Sequence, residues 1–284
     1  MLRSILNRLN GLRSDAESLP GLLIIGAQKA GTSALYSYLT HHPEVVKSKK
    51  ELNFFNRNYS KGKLYYKRQF PLRKGLRIDA TPSYLYSKLV PARAAASLSS
   101  STRIIVLLRD PVARAYSAWN MYQKISSNPI VANNFKNIEQ EDSTLQLYSH
   151  YCSNAFPTFP EAIHKEMEWI KAGTDIREPS LLRRGFYVEQ IKYWQQHFPA
   201  ENFFFIHNED LKVEAKAREI LSRLEPFLGL RSGGLDSLPY AHIHVRAYTN
   251  PLPTELRPEL TALFNANNRG LQELTGLDLP WAPL

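Results

Sequence analysis

The sequence predicts an α/β fold of three layers, a central parallel sheet flanked by helices. Three observations carry that expectation. Short β-branched or apolar runs alternate with longer stretches of helical periodicity, the order that builds βαβ units. Two of the runs, Leu22–Ile25 and Arg103–Leu108, are apolar almost without a break, as strands covered on both faces must be. Each then passes through a short turn into a helical pattern, the layout of a parallel strand feeding its crossover.

In chain order the elements are as follows. Residues 1–18 form an N-terminal amphipathic extension, with Leu2, Ile5, Leu6, Leu9 and Leu12 on one helical face and Arg3, Arg8 and Arg13 largely off it. Two readings stand for it: a short helix docked on its own domain or frayed, and a weak peripheral membrane contact through residues 2–13. The main domain spans 19–284. Strand Leu22–Ile25 leads to helix Thr32–Thr40, with Thr32 as the expected N-cap. Strand Leu76–Asp79 precedes helix Pro91–Leu98, and strand Arg103–Leu108 precedes helix Val112–Gln123, entered through Pro111 at N1. Residues 125–182 are polar and punctuated by Pro129, Pro157, Pro160 and Pro179. They read as an insertion or flexible flank, helical mainly at Glu161–Ala172. Helix Tyr187–Phe198, strand Asn202–Ile206 and helix Ala215–Leu228, ended by Gly229, come next. Thr254–Thr275 reads as one long helix closing on Trp281.

Composition narrows the class. With 284 residues, 43% of them hydrophobic and 22% charged, the chain is long enough for one large α/β core. A formal charge of +10, from 36 Lys+Arg against 26 Asp+Glu, points to polyanionic partners such as nucleotides, acidic glycans, nucleic acid or a membrane surface. The single cysteine, Cys152, excludes an intramolecular disulfide and a cysteine-based zinc site. No apolar run approaches the roughly 18–20 residues of a membrane span. Arginines interrupt the N-terminal apolar stretch, so it is not a secretory signal. Together with a complete-looking start, these features lead to the expectation of a cytoplasmic enzyme of bacterial type.

Two strand-to-helix junctions carry the chemistry. In Leu22-Leu-Ile-Ile-Gly-Ala-Gln-Lys-Ala-Gly-Thr-Ser33 an apolar run enters a glycine-bounded loop and then a helix, a P-loop-like cradle for a phosphate. A nucleotide-triphosphatase loop places its lysine directly after the second glycine. Here Thr32 follows Gly31, and the lysine is Lys29, inside the loop. In Arg103-Ile-Ile-Val-Leu-Leu-Arg-Asp-Pro-Val-Ala-Arg-Ala-Tyr-Ser117, Arg109 stands at a strand's C-terminal end, where open α/β sheets bind ligands. Ser117 lies two turns into the following helix. An arginine and a hydroxyl suit a second, dianionic phosphate. Two phosphate sites on one sheet edge describe a nucleotide phosphorylated at both ends.

With that pair in view, the chain resembles the PAPS-dependent sulfotransferases, especially the heparan-sulfate N- and 3-O-sulfotransferase type. The resemblance runs from about Leu22 to Trp281. GAQKAGTSALYSYLTHHPEV is similar to the family's 5′-phosphosulfate loop and RIIVLLRDPVARAYSAW to its 3′-phosphate motif. KKELNFFNRNYSKGKLYYKRQFP resembles the Glu-x-x-Phe-Phe segment, RRGFYVEQIKYWQQHFP the Gly-x-Tyr helix, and HVRAY the loop over the phosphosulfate. The resemblance implies PAPS as donor and PAP as product. Lys29, Ala30, Gly31, Thr32 and Ser33 would hold the 5′-phosphosulfate, and Arg109 and Ser117 the 3′-phosphate. Arg246 and Tyr248, with the backbone near His244, would cover the cofactor. Glu51 falls on the glutamate proposed as catalytic base. Two departures stand out: Asp79-Ala80-Thr81-Pro82 lacks the lysine of the animal members' Glu-Lys-Ser/Thr segment, and one cysteine cannot form their C-terminal disulfide loop.

Sulfuryl transfer asks for in-line positioning and neutralisation of leaving-group charge. Lys29 would meet charge on the phosphate oxygen, Glu51 would take the acceptor's proton, and lysine and arginine balance the charge without a metal. Asp79 is the second-ranked acid for the base and reads first as structural; His41 and His42 read either as a catalytic pair or, ahead of Pro43, as helix-end packing, the second being favoured. Gly185 and Tyr187 read either as adenine-pocket residues or as an ordinary helix start. The Lys61, Lys63, Lys67 and Arg68 cluster, with Tyr65 and Tyr66, reads either as a grip on an anionic or sugar acceptor or as a solvated face. The expected activity is sulfuryl transfer to a hydroxyl or amine of a carbohydrate or glycoconjugate. A small-molecule or secondary-metabolite acceptor is the alternative. A basic nucleic-acid-binding protein and a P-loop kinase are the rivals; the first leaves both anion loops unexplained and the second lacks its lysine.

Overall fold

The computed structural model describes residues 18–235 and 252–283. Five strands, β1 (Leu22–Gly26), β2 (Val45–Val46), β3 (Leu76–Ala80), β4 (Arg103–Leu108) and β5 (Phe203–His207), form one parallel sheet in the order β2-β3-β1-β4-β5. The central position of β1 explains its composition: all five of its residues are buried. Leu22 pairs with Ile78 on one side and Arg103 on the other. β1, β3, β4 and β5 stand where the sequence places them. β2, two valines long, carries too little pattern to be read in advance.

The helices among the described residues are α1 (Thr32–Leu39), α2 (Gly62–Lys67), α3 (Val90–Ser97), α4 (Pro111–Ser126), α5 (Pro129–Glu141), α6 (Leu147–Tyr151), α7 (Phe159–Lys171), α8 (Tyr187–Gln195), α9 (Glu214–Phe227), α10 (Arg257–Asn267) and α11 (Leu271–Thr275). Described residues 18–109, 189–235 and 272–279 make one compact unit, and 110–188, 252–271 and 280–283 a second. The first holds the whole sheet. The second is helical, its core built where Val112, Ala115, Tyr116, Trp119 and Tyr122 of α4 meet side chains that include Tyr151, Phe159, Ile163 and Phe264.

Three local expectations are corrected. Thr32 does not cap α1; the cap is Gly31, left-handed at φ 96°, and Thr32 is the first helical residue. The Thr254–Thr275 stretch is two helices rather than one, interrupted where Asn268 turns inward and Gly270 takes φ 78°. Residues 125–182 carry α5 and α6 as well as α7. α5 buries no residue fully; Val131, Phe135 and Ile138 are half-buried along one face, Phe135 and Ile138 packing against the core of this unit, while Asn128 caps the helix and Pro129 opens it. Pro111 at the start of α4 and Gly229 (φ 66°) beyond the end of α9 do what the sequence implies.

Candidate active site

The sheet order puts the site at its switch point. From β1 the chain crosses to the edge strand β2, steps back to β3 beside β1, then crosses to place β4 against the other side of β1. Strand ends at such a reversal leave a crevice for ligands. The loop after β1 and the residue after β4 meet there.

Gly26 closes β1 with φ 159°, and a Cβ on it would lie 2.8 Å from Leu85 Cβ and 3.1 Å from the Pro82 carbonyl oxygen. Only a glycine lets the strand end pass so close to the 82–85 segment. The Ala27 N–H donates to Leu107 O at 2.7 Å, carrying the loop across to β4. Lys29 follows at φ 72° and Gly31 at φ 96°. These left-handed turns curl the backbone into a concavity of N–H groups ahead of α1. Because Gly31 is the cap, no side chain bonds the first turn of α1. The N–H groups there are oriented for an anion, and the helix dipole favours one.

Arg109, half-buried, donates from Nη1 to Lys29 O at 3.0 Å. The sequence reading assigned these residues to opposite ends of one nucleotide. The structure joins them directly, the guanidinium bracing the loop that carries the lysine. Around this pair Ala30 and Thr32 are buried, Ser33 is half-buried and Gly31 is exposed. A left-handed loop with an uncapped helix start and a lysine inside it fits a phosphosulfate group.

Glu51 stands on the neighbouring strand end. Its N–H donates to Ala80 O, the last residue of β3, at 3.0 Å, and its side chain is exposed. Thr81 N–H in turn donates to Ile24 O of β1 at 3.1 Å, so the Glu51 turn and the Lys29 loop hang from adjacent strands. Both Glu51 (φ 55°) and Asn53 (φ 50°) are left-handed, an uncommon conformation away from glycine.

Asp79 is fully buried. It accepts from Tyr66 Oη at 2.7 Å, Tyr84 Oη at 2.9 Å and Thr81 Oγ1 at 2.7 Å. Burial pushes its carboxyl up and the three hydroxyl donors oppose that shift. No room remains for it to act on a substrate. His42 is likewise buried: its Nδ1 accepts from Glu44 N–H at 3.1 Å and its Nε2 faces Arg231 O at 3.0 Å, which makes it a packing residue.

In the second unit Ser117 sits on α4 at 3% exposure. Asp110 caps that helix, accepting from Val112 N at 2.9 Å and Ala113 N at 3.4 Å, and Arg257 reaches its other oxygen at 3.0 and 3.1 Å. The Asp-Pro pair signals this cap in the sequence; Arg257 does not announce itself. Gly185 packs tightly, since a Cβ there would come within 2.5 Å of Phe264. Tyr187 opens α8 with its N–H bonded to Asn268 Oδ1 at 2.7 Å. His244, Arg246 and Tyr248 lie outside the described residues. No group of metal-ligating side chains occurs among the described residues, and no helix there is long and apolar enough to cross a membrane.

Known proteins share both the sequence and the fold. The model of the sulfotransferase domain matches residues 19–240. The human heparan sulfate glucosamine 3-O-sulfotransferase 3B1 is 32% identical over 77% of this chain and 48% of its own length. The human bifunctional heparan sulfate N-deacetylase/N-sulfotransferase 3 is 30% identical over 75% of this chain and 23% of its own. The chain thus spans about half or less of these curated relatives. A sulfotransferase from Alicyclobacillus acidocaldarius has the same fold, with a TM-score of 0.63 at 23% identity over 92% of this chain and 98% of that one. The chain belongs to the sulfotransferase family, and is an enzyme of that class.

Proposed function

We propose that this enzyme transfers the sulfuryl group of PAPS to a hydroxyl or amine of a carbohydrate or glycoconjugate acceptor, with Glu51 as the base. The observation that carries the donor is the Lys29 loop: a phosphate cradle whose lysine sits inside the turn, braced by Arg109. PAPS brings an activated sulfuryl group whose S–O bond to the phosphate breaks as the acceptor attacks in line. Lys29 and the N–H groups of Gly31, Thr32 and Ser33 balance the negative charge left on the phosphate side, fixed in place before the reaction. Arg109 and Ser117 hold the 3′-phosphate, which ATP lacks. Glu51 takes the acceptor's proton as the new S–O or S–N bond forms, and PAP departs. By the resemblance, Arg246 and Tyr248, with the backbone near His244, would cover the donor.

The acceptor class rests on charge. Between Lys47 and Lys74 the chain holds ten Lys and Arg against one acid, Glu51, which is almost the whole net charge of +10. All but Lys67 among those cations are exposed. The candidate base is therefore the lone carboxylate within a cationic surface, which suits an acidic sugar chain better than a neutral metabolite. The lone Cys152 extends the reading to a cytoplasmic enzyme acting on a precursor made there.

PAP without magnesium should raise the melting temperature more than ATP does; stabilisation by Mg–ATP alone, or by oligonucleotides alone, would refute the donor. Lys29→Ala should lower kcat by about 10²–10³-fold. Glu51→Gln should lower it by about 10²–10⁴-fold with PAP affinity retained, and full activity in that variant removes Glu51 as the base.

A further inference from the structure

Asp79 lies at the centre of a hydrogen-bond relay that ends on the backbone beside Glu51. The Tyr84 hydroxyl has one hydrogen and two lone pairs. Its hydrogen goes to Asp79 Oδ2 at 2.9 Å, and its oxygen accepts from Phe54 N–H at 2.8 Å and Phe55 N–H at 3.3 Å. Thr81 repeats the arrangement. Its Oγ1 donates to Asp79 Oδ1 at 2.7 Å and accepts from Asn53 N–H at 3.3 Å. In both cases the carboxylate decides which way the hydroxyl points. By drawing in the hydrogen, it leaves lone pairs facing the turn, and three consecutive N–H groups, at 53, 54 and 55, are held by them.

Those N–H groups belong to an unusual piece of backbone. Glu51 and Asn53 are both left-handed, and residues Phe54–Asn58 form a single π-helical turn. Such conformations persist where the surroundings over-determine them. The surroundings here are the relay, the Glu51 N–H bond to Ala80 O, and the stacking of Phe54 on Tyr66, ring centroids 4.1 Å apart and 6° from parallel. Tyr66 is itself the third hydroxyl bonded to Asp79.

We infer that Asp79 is a positioning residue for the reaction, holding the Glu51 turn in its productive conformation through the hydroxyls of Tyr84 and Thr81. The inference rests on the assignment of Glu51 as base. Asp79 touches neither donor nor acceptor. It sets where the Glu51 turn stands relative to the Lys29 loop, through two hydroxyls that each bridge its carboxylate to the N–H groups of the turn.

The test uses the full chain, PAPS and a sulfated or uronate-bearing oligosaccharide acceptor, in single-turnover measurements. Tyr84→Phe keeps the ring and removes the relay; it should lower kcat at least tenfold while the Kd for PAP stays within twofold. Thr81→Val should do the same, and Thr81→Ser, which keeps the hydroxyl, should restore the rate. In a Glu51→Gln background Tyr84→Phe should cost less than twofold further, because its effect passes through Glu51. Equal losses in both backgrounds, an unrescued Thr81→Ser, or a wild-type kcat in Tyr84→Phe would each overturn the inference. Should Tyr84→Phe fail to fold, the Thr81→Val and Thr81→Ser pair decides. A fully active Glu51→Gln defeats the base assignment itself, whereas an inactive Glu51→Gln beside an unimpaired Tyr84→Phe defeats only the relay.

Discussion

Replacing Asn268 by alanine tests how the break between α10 and α11 supports the start of α8. The Asn268 side chain is 1% exposed and makes three bonds within the second unit. Its Oδ1 accepts from Tyr187 N–H at 2.7 Å and Val188 N–H at 3.4 Å, and its Nδ2 donates to Gly185 O at 2.8 Å. Tyr187 and Gly185 are buried, so water does not replace the lost partner. Each buried group left unsatisfied costs about 1–3 kcal/mol, and the long Val188 bond adds little. Two such groups place the destabilisation at about 2–6 kcal/mol. At about 2–4 °C per kcal/mol for a chain of this size, the melting temperature should fall by roughly 4–24 °C, read by calorimetry with and without PAP. Asn268→Asp adds a finer check. It keeps an acceptor for Tyr187 N–H but turns a second oxygen toward Gly185 O, so it should regain stability on acidification, when a protonated carboxyl donates again. A fall below 2 °C for Asn268→Ala, or a stability of Asn268→Asp that declines with acid more than the wild type does, refutes the reasoning.

Further predictions follow from contacts elsewhere. Gly26→Ala would drive a methyl to within 2.8 Å of Leu85 Cβ. Overpacking of that kind costs about 1–3 kcal/mol, and a displaced loop should weaken PAP binding in calorimetric titration. Unchanged affinity would detach Gly26 from the anion cradle. His150, held neutral by burial and by nearby Lys165, has its pKa pushed from 6.5 to about 4. A depressed pKa means that the stability tied to the neutral ring is complete above pH 6.5 and drains away as the pH falls toward 4. His150→Phe keeps the packing against Tyr151 and Trp169 without a proton to gain, so its melting temperature should rise relative to wild type across that window. A difference that is flat with pH refutes the assignment.

What the sequence made legible follows from how far each signal reaches along the chain. β1 and β4 were readable because double-sided burial leaves a local mark, an unbroken apolar run. The helix after β4 was readable because proline at its first position marks its start. α5 went unread for the opposite reason. Its apolar stripe is short, Val131, Phe135 and Ile138, and only half-buried among polar residues, and the helix is also held by an Asn128 cap and by Glu139, which takes the N–H groups of Tyr148 and Ser149 at 2.8 and 3.0 Å. The division of Thr254–Thr275 was hidden because Asn268 is an acceptable helix residue until its partners, Gly185 and Tyr187, are in place.

The candidate site divides along the same line. The residues from Gly26 to Ser33 are contiguous, and their glycine spacing reports a backbone shape by itself, so the loop could be read as an anion cradle before any fold was known. The bond from Arg109 to Lys29 joins positions far apart in the chain, and only the adjacency of β1 and β4 brings them together. Asp79 is the stronger case. As a letter in the sequence it is one acid at the end of a strand, with nothing to separate a base from a support. Burial separates them: a carboxylate enclosed by three hydroxyls has no face left for a substrate, whereas Glu51, exposed on the next strand end, has one. On the proposed reading, chemistry falls to the accessible acid and geometry to the buried one. The two meet at the N–H groups of Asn53, Phe54 and Phe55.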